Sequence, residues 1–181
     1  MRSLRVKGAI AVAIVGAVAI AAAAMAGDRA KIGTVMTGYE EVPAVSTTGN
    51  GTFHARINRS AQEIPWTLTY DDLEGQVTQS HIHFGQVGVT GPITVWLCQK
   101  GQATAPAGTA ECPAPPATVT GVITPASVTN QAAAQGISSG EFDELVRALR
   151  AGVAYANVHS STWPGGEIRG QLSERGDDQD D

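Results

Sequence analysis

Two histidines stand one residue apart in Gln79-Ser80-His81-Ile82-His83-Phe84-Gly85. Successive side chains of a β-strand point to opposite faces. His81 and His83 therefore share one face, with Ile82 and Phe84 on the other. One face can join a core while the other sets two imidazoles side by side. Imidazole nitrogen is a good ligand for copper, zinc and iron, so the pair is a candidate metal site. The competing reading is a polar strand face that carries two histidines without a ligand role. Other chemistries find less support: no Ser-His-Asp or Cys-His set has a fitting context, and no paired carboxylates suggest a hydrolase.

The elements that must position this pair read as short strands. Lys31 to Gly38, Thr52 to Ile57, Ile64 to Tyr70, Gln76 to Phe84, Ile93 to Cys98 and Thr118 to Thr124 are strand candidates, several with clean alternation. Val153 to His159 places Tyr155, Asn157 and His159 on one face. Gly166 to Leu172 places Glu167, Arg169 and Gln171 on one face, with Ile168 and Leu172 opposite. Glu40-Glu41-Val42-Pro43-Ala44-Val45 is a connecting or edge segment, because proline cannot donate to a ladder. One helix is expected: Ser138 and Glu141 resemble a capping box. Phe142, Leu145, Val146 and Leu149 then form an apolar stripe that Gly152 stops. About eight short strands and one short helix predict an all-β fold, a Greek-key β-sandwich or barrel. Within it, His54 reads as an exposed residue of a polar strand face. Glu167 and Arg169 read as a cross-strand ion pair, with a metal-ligand role for Glu167 as the alternative. Asn157 and Gln171 are candidate partners that orient ligands.

The chain has 181 residues, of which 21 are Gly and 9 Pro, a usage suited to frequent turns. Residues 1–26 read as a secretory signal peptide: basic Arg2, Arg5 and Lys7, an apolar run from Gly8 to Ala24, and the Ala24-Met25-Ala26 cleavage site. An uncleaved membrane anchor is the alternative. Cleavage removes three of the 12 basic residues and none of the 17 acidic ones, leaving nine against 17 and a net charge of −8. That balance holds no nucleic-acid footprint. The signal peptide points to a secreted or periplasmic protein with no membrane contact after cleavage. The acidic end, residues 174–181, reads as a disordered tail. Cys98 and Cys112 of an exported chain are expected to pair. The bridge would stabilise the Gly/Ala/Pro-rich loop between them by about 3 kcal/mol. Free thiols acting as metal ligands fit less well, because the spacing is not C-x-x-C.

Three segments together resemble one family. They are Ser80-His81-Ile82-His83-Phe84-Gly85, then Gly91-Pro92-Ile93, then Tyr155-Ala156-Asn157-Val158-His159 continuing through Pro164-Gly165-Gly166-Glu167-Ile168-Arg169-Gly170-Gln171-Leu172. In order and spacing they are similar to the CHRD domain, first described in chordin and widespread as an exported stand-alone domain. The likeness makes residues 27–173 one CHRD domain. A second likeness bears on chemistry. Copper/zinc superoxide dismutase, a Greek-key barrel, has an H-x-H strand, a later histidine in a Val-His context and an arginine that attracts superoxide. His81 and His83 resemble the first element, Val158-His159 the second and Arg169 the third. The likeness implies a copper or iron site on His81, His83 and His159, with Arg169 as its catalytic residue and a small anion as substrate. No histidine lies between His83 and His159, so the bridging ligand and zinc site of that family have no counterpart; His54 is the candidate fourth imidazole. The alternative class is a non-enzymatic extracytoplasmic binding or structural module, in which the histidines and Arg169 only support the fold.

Overall fold

The computed structural model describes residues 29–102 and 104–175. The expected signal peptide and nearly all of the acidic tail lie outside the described residues. The strands are β1 (Arg29–Thr37), β2 (Asn50–Asn58), β3 (Ile64–Asp71), β4 (Val77–Phe84), β5 (Ile93–Gln99), β6 (Ala117–Ile123), β7 (Ala154–Ser160), β8 (Ile168–Gln171) and β9 (Ser173–Arg175). All strand pairs are antiparallel, in the order β5-β4-β7-β8-β1-β2-β3-β6. The sheet curls into a nearly closed barrel, with its seam between β5 and β6. The β3–β4 and β6–β7 connections each skip strands around the barrel, as Greek-key connections do.

Alternation decides what lies inside. Phe53, Ala55 and Ile57 of β2, Ile64, Trp66, Leu68 and Tyr70 of β3, and Ile82 of β4 join one core. Ala154, Ala156 and Val158 of β7 and Ile168 of β8 complete it on the other side. The residues between these, including His81, His83, Tyr155, Asn157, His159 and Arg169, therefore point away from the barrel interior. They are nonetheless buried, under the connections that cross that outer face.

Helix α1 (Phe142–Arg150) buries Phe142, Leu145, Val146 and Leu149 in the core, as its stripe predicts. It starts later than the capping-box reading implies: Glu141 is the N-cap, and only one half of the box forms, with Ser138 N–H donating to Glu141 Oε2 at 2.7 Å. Gly152 ends it at φ +67°. Cys98 and Cys112 are disulfide-bonded. The chain remains ordered past residue 173: Ser173–Arg175 pairs with Lys31, Ile32 and Gly33 of β1, and Glu174 meets Arg150 at 3.3 Å. The triplet Ser-Glu-Arg has no apolar alternation; its order comes from its partner strand and this ion pair.

Candidate metal centre

Strands β4 and β7 lie side by side, with His81 opposite Asn157 and Gln79 opposite His159. The period-two rule therefore brings His81, His83 and His159 to one patch, although 76 positions separate His83 from His159. One ligand-capable atom from each of these three buried residues lies within 4.8 Å of the others. His83 Nδ1 faces Gly91 O at 2.8 Å, and His159 Nδ1 faces Pro164 O at 2.9 Å. A carbonyl only accepts, so each Nδ1 carries the hydrogen and each Nε2 is left a lone pair. His83 Nε2 is buried with no hydrogen-bond partner among the described residues. His81 Nδ1 lies 3.3 Å from His159 Nε2, while its Nε2 is also buried and unpartnered. Buried polar atoms without partners are rare and ask for an explanation. An ion between the rings would supply one for His83.

Aromatic contacts hold the imidazoles. Trp96 meets His81 edge-on at 4.3 Å between ring centroids, and Tyr155 stacks on His83 at 4.7 Å and 2°. Burial drives the His81 pKa down to about 2, with His159 and His83 adding repulsion, and drives His83 down to about 4. Burial also lowers His159. The three rings are thus held neutral, the form that ligates metals.

Arg169 is 2% exposed. Its guanidinium lies 3.5 Å from the Tyr155 ring centroid, and Nη2 donates to Gln86 O and Val89 O. Its Nη1 has no partner among the described residues. The expected ion pair with Glu167 does not form among the described residues. Glu167 lies before the first ladder residue of β8, and its Oε1 turns to Thr47 Oγ1 and the Glu74 N–H, each at 2.7 Å. Glu167 is not among the clustered ligands, and neither is His54, which is exposed on β2 in a groove with Lys31, Arg56 and Arg175. Gln171 binds Gly85, Gly152 and Ala154 carbonyls and no histidine.

Sequence reasoning missed Glu41. It is 7% exposed. Burial pushes its carboxyl up to about 7 against the lowering influences of the Arg169 charge, the Val42 backbone and the Asn157 amide. The segment is irregular and ends at a proline, so no periodicity marks the residue as internal.

The CHRD domain matches this chain over residues 32–172. The chain belongs to the CHRD domain family. No curated protein and no solved structure matches it. The CHRD match suggests a secreted or extracellular module, and the disulfide fits that setting. Among the described residues no helix is long and apolar enough to cross a membrane.

Proposed function

We propose that this CHRD domain binds one copper or iron ion through His81, His83 and His159, and that the loaded protein dismutates superoxide in the periplasm or outside the cell. The observation that carries the reading is the convergence of three buried imidazoles, two of them oriented by carbonyls at Nδ1 so that each Nε2 keeps its lone pair. Such partners fix ring orientation and raise ligand basicity. Three protein ligands leave a position for a small molecule, as catalytic rather than structural sites do.

A bound copper or iron ion would supply one-electron redox chemistry, so that two superoxide anions and two protons give oxygen and hydrogen peroxide. The chain's own part is to hold the ligands, keep them unprotonated and place a cation beside them. Arg169 supports this last role: its unpartnered Nη1 is a buried donor fit for a small anion, and a fixed charge in a low-dielectric setting acts more strongly than one in water. The mature charge of −8 gives no general attraction for an anion, so the pull is local.

The test uses the mature chain without a histidine tag. After loading with copper or iron, the wild type is expected to retain one ion per chain, and His81→Ala and His159→Ala to retain little. Equal loading in the variants refutes the site. Stoichiometric metal without superoxide consumption refutes the enzyme and leaves a metal-binding module.

A further inference from the structure

At the centre of the cluster stands a group that is not a histidine. The Asn157 amide lies near enough to Glu41, His81 and His83 to shift the pKa of each. Its Oδ1 lies 3.1 Å from His159 Nε2. Because His159 Nδ1 donates to Pro164 O, that contact sets a lone pair against an amide oxygen. Two acceptors facing each other are unfavourable unless a cation lies between them. The distances fit this arrangement. Donors about 2.0–2.1 Å from one ion and near the tetrahedral angle stand roughly 3.3 Å apart. His81 Nδ1 to His159 Nε2 is 3.3 Å, and His159 Nε2 to Asn157 Oδ1 is 3.1 Å.

The amide is also held in this orientation. The Asn157 backbone is fixed in β7 between its partners His81 on β4 and Arg169 on β8, and its carbonyl accepts from Ser80 Oγ at 2.7 Å. The amide also lowers the Glu41 pKa, as a nitrogen donor beside that carboxyl group would, and turning the amide over would reverse that influence. Glu41 is itself confined: Gly166, at φ +130°, lets the backbone pass so close that a Cβ there would overlap Glu41 Oε1.

We infer that Asn157 Oδ1 is the fourth protein ligand of the site and that Glu41 is the positioning residue that aims it. The inference rests on the three-histidine reading above. It makes the donor set three imidazoles and one neutral oxygen beside the Glu41 carboxyl group, so that a small molecule would join as a fifth ligand. Such a set suits a divalent ion that accepts mixed nitrogen and oxygen donors.

The experiment titrates the metal-free mature chain with Zn(II) and Cu(II) against a competing chelator, and records the Cu(II) electron paramagnetic resonance spectrum. Asn157→Leu keeps the volume and removes the oxygen; one ion should still bind, with Kd raised at least roughly tenfold. Asn157→Asp keeps the oxygen and adds charge, so Kd should fall. Glu41→Gln should raise Kd roughly 10- to 100-fold and alter the Cu(II) spectrum, although it removes no ligand. Circular dichroism of each metal-free variant shows whether it folds; should Asn157→Leu fail, the other two decide. Wild-type Kd and spectra in the Asn157 variants, alongside metal loss in His159→Ala, overturn the Asn157 role and leave the three-histidine site standing. A wild type that binds neither ion overturns both.

Discussion

Glu41 carries the sharpest consequence at the scale of single residues. A buried carboxyl is costly in its charged form unless paired. Here burial outweighs Arg169 and Asn157 and lifts the pKa from 4.5 to about 7. A raised folded-state pKa means that the folded protein holds the proton more tightly than the unfolded chain. The associated stability is full below about pH 4.5 and is lost as pH rises through about 7. The histidines have the opposite sign. Their lowered folded pKa values leave their stability contribution full above the unfolded value of 6.5 and diminish it as pH falls. Glu41→Gln removes the first effect and keeps the second. Urea unfolding of the metal-free protein should therefore show the variant gaining on the wild type by up to about 3 kcal/mol between pH 4.5 and pH 8. A difference that does not change with pH would refute the shift.

Among the elements, the connection between β4 and β5, residues 85–92, is what makes a buried site out of an outer strand face. The face it covers ties it down: Arg169 Nη2 binds Gln86 O and Val89 O, Gln171 binds Gly85 O, and the Gly91 N–H donates to Tyr155 Oη at 3.1 Å. Gly91 O in turn orients His83. A Cβ on Gly91 would run into the Phe84 carbonyl, so the chain can pass there only as glycine. Gly91→Ala should displace the connection and release His83, raising the metal Kd roughly tenfold or more while every ligand remains. An unchanged Kd by chelator competition would show that the connection does not set the ligand geometry. The β-strands beneath it were legible in the sequence, because a half-buried strand alternates and these do. The pairing of His81 with His83, and of Asn157 with His159, followed from the same period. What covers the site was not legible. Glu41, Gly91 and Pro164 act from irregular segments through backbone carbonyls or one side chain, and such roles follow from chain path rather than from periodicity. The short strand β9 escaped for a related reason, since its charged residues pair by register and carry no apolar signal.

For the whole molecule, the main consequence is that site and core lie on opposite faces of the same strands. Ile82, Ala156 and Val158 point into the barrel between the residues that point to the candidate metal. Helix α1 turns its apolar face into the interior and its charged face to solvent. At nine residues it is too short to persist alone, and its apolar side chains hold it in place. Leu145 is fully buried in the core and absent from the cluster, so it tests the separation. Leu145→Ala should lower stability by about 2–5 kcal/mol through lost transfer energy and a residual cavity. The metal Kd, measured where the variant is still folded, should stay that of the wild type. Ligand linkage then gives a second readout: an ion at 100 times Kd should stabilise wild type and variant alike, by about 2.7 kcal/mol. Equal increments on unequal baselines are the expected signature of a rigid barrel that presents a site on its outside. A smaller increment in the variant would instead show that packing within the barrel sets the positions of the histidines.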